Sequence, residues 1–155
     1  LGARDITLVS RTRSRAEALA TELKKNGISV KVSDDAAGEA CRARRIVTAT
    51  TSREPVFPDT VRDDVFVSAV GSFTPEAAEV PASLVARATL YADDLDAVRI
   101  EAGDFLRAGV DWASVTPLDA LLDAPPPVMS GPVVFKSVGH ALFDLAAAKL
   151  AFAAG

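Results

Sequence analysis

A chain of 155 residues that is 49% apolar, with mean hydropathy +0.21, can bury one real core and is not a disordered chain. No apolar run approaches the roughly 20 residues of a membrane span, no signal peptide opens the sequence, and a lone Cys41 and a lone His140 leave no disulfide framework and no cysteine or histidine metal site, so a cytosolic, metal-free protein is expected. The net charge of −4 hides a basic stretch, residues 1–53 with 11 Lys/Arg against 6 Asp/Glu, and an acidic remainder with 6 against 15, which argues against nucleic acid and suits the first part to a small anion.

Asp5–Ser10 (DITLVS) reads as a buried strand of β-formers. Ser14 and Glu17 have the spacing of a capping box, and Ala16, Leu19, Ala20 and Leu23 then share one helical face up to Lys24-Lys25-Asn26-Gly27. The unit repeats more faintly as a strand at 28–32, a short helix at 34–44 and a third strand at 46–50. A fourth strand, residues 65–70, runs into Gly71-Ser72. A short helix at 82–87 and a strand at 89–92 follow, then a helix over 95–108 with Val98, Ala102, Phe105 and Leu106 on one face, and another over 117–122. The proline run from Ala124 to Pro132 predicts an extended loop. Residues 133–135 predict a last strand, and residues 139–154 a final amphipathic helix with Leu142, Phe143, Leu145, Ala146 and Leu150 as its buried stripe. Strands alternating with helices at this spacing give an α/β fold, a Rossmann-like doubly wound sheet that is mostly parallel.

Ser10-Arg11-Thr12 stands where the second strand of a dinucleotide fold ends. NAD-binding forms place a carboxylate there for the ribose 2′-hydroxyl. A serine, an arginine and a threonine, with Arg13 and Arg15 beyond, instead offer donors and positive charge to a 2′-phosphate. A solvated basic turn is the alternative. Thr48, Thr50, Thr51 and Ser52 close the third strand with hydroxyls that either line a groove or cap turns. Gly71 either lets backbone approach a ligand or simply ends a strand. Glu76 and Glu79 read as a solvated face, and Glu101–Asp104 as surface or helix-end structure. Lys136–Gly139 reads as an anion-binding corner, or with Ser137 as a plain N-cap, and His140 as an exposed or capped first-turn residue.

Taken together, Ser10-Arg11-Thr12 after a strand, TATTSREPV (48–56), AVGSFTPEAAEVP (69–81), EAGD (101–104) and VFKSVGHALFDLAA (134–147) resemble the ornithine cyclodeaminase/mu-crystallin family in order and spacing. The resemblance covers most of the chain and is weakest over 110–131. It implies a NAD(P)-binding Rossmann domain of a homodimeric cytosolic oxidoreductase acting on small amino or imino acids. Ser10, Arg11 and Thr12, with Arg15, would hold the adenosine ribose phosphate, so NADP(H) is favoured over NAD(H). Thr48, Thr50, Ala69, Val70, Gly71 and Ser72 would line the nicotinamide side, and Ser137 would close the pocket.

Two departures refine this. The cyclodeaminase pattern has its acid/base aspartate two residues before the proline of the glycine loop, where this chain has Phe73. That favours a reductase of cyclic imino acids such as Δ1-pyrroline-2-carboxylate or Δ1-piperideine-2-carboxylate over an ornithine cyclodeaminase or an alanine dehydrogenase, with a non-catalytic mu-crystallin-like NADPH-binding protein as a further alternative. The first strand, the glycine-rich turn and a preceding substrate domain with the catalytic residues are expected before Leu1. Residues 1–155 would then be a partial Rossmann domain whose 133–155 portion returns toward that substrate domain, and this chain alone would be inactive with weak cofactor binding.

Overall fold

Every strand pairing among the described residues is parallel, each pair joined by a crossover long enough to return the chain to the same end of the sheet. The structure is a computed structural model that describes residues 5–123 and 130–154. Two units form, Leu1–Arg42 and Ala43–Gly155. The proline run at 124–127 and the segment Leu1–Ala3 lie outside the described residues.

In the first unit, β1 (Asp5–Val9) pairs with β2 (Ser29–Ser33) through the crossover helix α1 (Arg13–Lys25), and α2 (Ala36–Arg42) follows. Ala16 and Ala20 are the buried face of α1, while Leu19 stays 45% exposed. The expected capping box is not used. Ser10 Oγ accepts the Thr12 N–H at 3.2 Å, which turns the chain early, so the helix begins at Arg13 with an extended Thr12 as its N-cap. Glu17 is then free to accept from Arg13 Nε at 2.8 Å. Gly27, with φ +75°, takes the left-handed turn that ends the segment.

The second unit holds a five-stranded sheet in the order β3 (Arg45–Thr48), β4 (Phe66–Ala69), β7 (Val133–Lys136), β5 (Thr89–Ala92), β6 (Val115–Pro117). Register aligns Thr48, Ala69, Lys136, Ala92 and Pro117 in one row at the C-terminal edge of the sheet. Open α/β sheets hold their ligands outside this edge. Helices α3 (Ala82–Arg87), α4 (Leu95–Glu101) and α5 (Gly103–Ala108) cover the core, in which Val67, Leu84, Val98, Ala102, Phe105 and Val134 are fully buried.

Three expectations are corrected here. The single helix over 95–108 is two, broken at Ala102 (φ −81°, ψ 88°). The break lets Gly103 press against the carbonyl oxygens of Thr74, Pro75 and Ala77, where no Cβ would fit. Pro117 ends β6 instead of opening a helix, and α6 starts at Ala120 (Ala120–Asp123). Strand β6 lies at the sheet edge, where proline's missing N–H costs little. Helix α7 (Ala141–Ala154) does not bury its apolar stripe: Leu142 is 61% exposed and Leu150 74%. Apolar residues run nearly all round this helix, so periodicity names no face, and none of the described elements covers one. Among the described residues no helix is long and apolar enough to cross a membrane.

Candidate functional site

In the first unit the C-terminal end of β1 opens into a basic turn. Ser10, Arg11, Thr12 and Arg15 are all exposed. Arg13 is engaged inside the unit by Glu17 and Asp34, and its guanidinium is held above its ordinary pKa first by the Glu17 hydrogen bond and then by the Asp34 charge. Arg11 and Arg15 have no ion-pair partner among the described residues. The turn therefore presents two unneutralised guanidinium groups and two hydroxyl side chains, with no carboxylate between Ser10 and Arg15. Such donors are of the kind from which a phosphate monoester accepts forked hydrogen bonds.

In the second unit the strand-edge row is framed by a buried cluster of charges. Glu79, Asp104, Lys136, Ser72 and Thr48 are between 0 and 4% exposed. Lys136 ends β7 facing inward, where Nζ donates to Ser72 O at 2.6 Å, Ser72 Oγ at 2.8 Å and Ala69 O at 3.3 Å, and pairs with Asp104 at 3.3 Å. Asp104 accepts the Ser72 hydroxyl on one oxygen, and on the other the N–H groups of Glu79 (2.6 Å) and Val80 (2.9 Å). Glu79 Oε2 accepts from Thr48 Oγ1 (3.1 Å), Gly71 N (2.8 Å) and Ser72 N (3.1 Å), and Oε1 from Thr50 N (2.5 Å). No buried side-chain nitrogen or oxygen among the described residues lacks a partner. A cluster so closed holds itself and the strand ends together, because removing any one member would leave another charge or amide buried and unpaired. Ser72, with its hydroxyl on Asp104 and a lysine beside it, has the parts of an activated nucleophile, but it is 1% exposed and all its polar groups are occupied.

Of the residues expected to line the nicotinamide side, Thr48, Ala69 and Ser72 are buried, while Thr50 and Val70 are exposed; the charged residues lie elsewhere than expected. Glu79 is not on a solvated face, and Asp104 is not at the surface. Each was a lone charge inside an apolar run, Ala77-Ala78-Glu79-Val80-Pro81 and Ala102-Gly103-Asp104-Phe105, and that isolation was the available signal. Glu76 is exposed, as expected.

The corner at Lys136–Gly139 also resolves. Ser137 is not the N-cap of α7; its Oγ donates to Asp93 at 2.7 Å, and the same carboxylate accepts from Val138 N (3.1 Å) and Gly139 N (2.9 Å). The anion in this corner is the chain's own Asp93. His140 opens α7, with Nδ1 accepting the Leu142 N–H at 3.1 Å and Nε2 at 3.9 Å from Asp94.

With the Gly71, Ser72 and Thr50 amides turned inward, the surface left beyond β3 and β4 is apolar and hydroxylic. Val70 is 43% exposed and Phe73 57%, with Thr50 and Thr51 beside the end of β3. With those amides committed to Glu79, this surface offers no amide nest to an anion.

The model of the Ornithine cyclodeaminase/mu-crystallin family matches residues 1–153. Delta(1)-pyrroline-2-carboxylate reductase 1 of Burkholderia multivorans is 45% identical over 106 residues, covering 68% of this chain and 34% of the relative. The Delta(1)-pyrroline-2-carboxylate/Delta(1)-piperideine-2-carboxylate reductase of Azospirillum brasilense is 37% identical over 172 residues, covering 96% of this chain and 55% of the relative. Among solved structures, the Thermococcus litoralis Delta(1)-pyrroline-2-carboxylate reductase in complex with NADH and L-proline superposes with a TM-score of 0.85 at 26% identity, over 96% of this chain and 49% of that one. An archaeal alanine dehydrogenase with bound NAD shares the fold, with a TM-score of 0.81 at 22% identity, over 94% of this chain and 47% of that one. The chain thus spans about half, or less, of the length of the proteins it matches.

Proposed function

The chain belongs to the ornithine cyclodeaminase/mu-crystallin family, and within it we propose the role of the cofactor-binding part of an NADP(H)-dependent reductase of cyclic imino acids, of the Δ1-pyrroline-2-carboxylate or Δ1-piperideine-2-carboxylate class. The observation that carries reduction over deamination is Phe73. At the position where the cyclodeaminase pattern has its acid/base aspartate, this chain has a 57% exposed ring that can neither take nor give a proton.

Residues of each unit, taken separately, suit one part of the cofactor. Arg11 and Arg15, with Ser10 and Thr12, bind the 2′-phosphate, and this turn is the reason for preferring NADP(H), since the solved relatives carry NADH or NAD. In the second unit Thr50, Val70 and Gly71 give a flat apolar floor for the nicotinamide end, held by the cluster beneath. When bound, the cofactor supplies the hydride to the C=N carbon. The chain's residues bind and orient it and keep water from its face. The Gly71 and Ser72 amides are committed to Glu79, so the substrate's carboxylate is recognised by other groups. Ser137 donates its hydroxyl hydrogen to Asp93 and so fixes the loop after β7. We further propose that the protein is cytoplasmic and a homodimer; light scattering on the natural protein checks the dimer.

The test is an assay of that chain with NADPH and Δ1-pyrroline-2-carboxylate. Substrate-dependent loss of NADPH absorbance is expected. Conversion of ornithine to proline without imine reduction would replace this reading with cyclodeamination, and NADPH binding without turnover on any imino acid would replace it with a binding protein.

A further inference from the structure

We propose that Glu79 is the positioning residue of the cofactor floor: its carboxylate fixes the loop that follows β3 against the loop that follows β4. The inference rests on the reading of those loops as the cofactor floor.

The two loops are far apart in sequence and close in space. A Cβ on Gly71 would run into the backbone N and O of Thr50 and come within 2.5 Å of Glu79 Oε1. At that distance two backbones need something between them that accepts hydrogen bonds from both. Glu79 does so with both oxygens, taking Thr48 Oγ1 from the end of β3 and Thr50 N from the loop after it, and Gly71 N and Ser72 N from the other loop. Among the described residues no cation pairs with this carboxylate, so its charge is balanced by amide and hydroxyl dipoles alone. Such a bond is charge-assisted, and stronger than an amide–amide bond would be.

Glu79 is itself pinned. Its N–H is held by Asp104 Oδ1 at 2.6 Å, and its carbonyl accepts the Val56 N–H at 2.9 Å. Asp104 is in turn anchored by Lys136 from the central strand β7. The position of the loops is thereby tied through one side chain to the middle of the sheet.

The chemistry admits no neutral substitute. Four donors converge on two oxygens that only accept. Glutamine has the same shape but presents an NH2 where one oxygen was, setting donor against donor. Aspartate keeps the charge but falls a methylene short.

The experiment compares Glu79→Gln, Glu79→Asp and Gly71→Ala in the full natural chain by amide hydrogen exchange and by calorimetric titration with NADPH. Gly71→Ala pushes the loops apart from the opposite side without altering charge. In Glu79→Gln, exchange at Thr50, Gly71 and Ser72 should rise about tenfold or more, with protection in β5 unchanged and NADPH affinity weakened about tenfold, as expected for a lost charge-assisted bond. Glu79→Asp should be milder in both, and Gly71→Ala should reproduce the pattern. Unchanged exchange at these amides, or exchange raised equally in β5, would overturn the proposal. So would local loosening with unchanged NADPH affinity. Failure of the unaltered protein to bind any nicotinamide cofactor would instead remove the functional reading, and the exchange pattern would still decide whether Glu79 holds the loops.

Discussion

The basic turn at Ser10–Arg15 and the cluster around Glu79 both concentrate charge at the C-terminal end of a parallel strand, and they treat it in opposite ways. In the turn, Arg11 and Arg15 are exposed and unpaired, while Arg13 alone is neutralised by Glu17 and Asp34. In the cluster, two carboxylates and one ammonium are fully buried, and every one of their polar atoms is occupied by the chain. Charge that is to meet a ligand stays hydrated and open, because desolvating it in advance would be costly. Charge that is to hold backbone is buried with its partners already in place. The comparison separates a turn open to a ligand from a cluster that frames backbone, each at strand ends of its own unit.

The largest effect should come from breaking the frame. Lys136→Met leaves Asp104 buried without its cation and is expected to cost about 3–5 kcal/mol of stability in urea denaturation. Adding Asp104→Asn, which removes the unpaired charge but keeps an oxygen for the Glu79 and Val80 amides, should recover part of that loss; a double variant weaker than the single would show that the pair is not the operative unit. Next comes the open turn. Arg11→Asp should weaken NADPH by about 1.5–3 kcal/mol in a cofactor titration, with much less effect on NADH. Arg13→Ala should change neither, since its charge is already committed. Equal losses for both cofactors would detach the turn from the phosphate. Gly103→Ala, which crowds the carbonyls of Thr74, Pro75 and Ala77, should lower the thermal midpoint by the equivalent of about 1–3 kcal/mol.

The smallest effect lies at an intermediate case, the Asp59–Arg87 pair at 2.8 Å. Burial pushes the Asp59 carboxyl up, but hydrogen bonds from Arg87 and Ser83 and the Arg87 charge outweigh it and hold the group below its ordinary value. A carboxyl depressed in the folded state stabilises above its unfolded pKa, and that contribution disappears as pH falls through the folded one. With Arg87 partly exposed the amount is less than about 1 kcal/mol. Stability measured from pH 6 down to 2 should therefore fall slightly less steeply in Asp59→Asn than in the unaltered protein.

Much of this architecture could be read from residues alone. The helix α3 and the strand β5 have the bounds their residues predict, because Pro81 and the Asp93-Asp94 pair punctuate them. The short edge strand β6 escaped notice, since three residues carry no period and Pro117 looks like a helix start. The sheet order was also beyond reach, for nothing local in Val133–Lys136 says that it inserts between β4 and β5. In the site, the basic turn was legible because exposed charge is a local property. Glu79 and Asp104 were not, because a carboxylate's burial depends on donors brought from residues 48–50, 71–72 and 136. Helix α7 failed for the converse reason: apolar composition states a demand for cover and does not identify what meets it.

The place of β7 has a consequence for the order in which the fold can be completed. The strand at the middle of the sheet is the last of the seven described strands to be synthesised, so β4 and β5 must wait as two separate edges until residue 136 is available to pair. Neighbours so distant along the chain join slowly, and an unpaired edge in the meantime invites other chains. Lys136 arrives with that strand, so the centre of the sheet and the charge that anchors Asp104 close in a single late event. A released chain truncated after residue 131 should remain open to protease across β4 and β5, and one truncated after residue 140 should be less so.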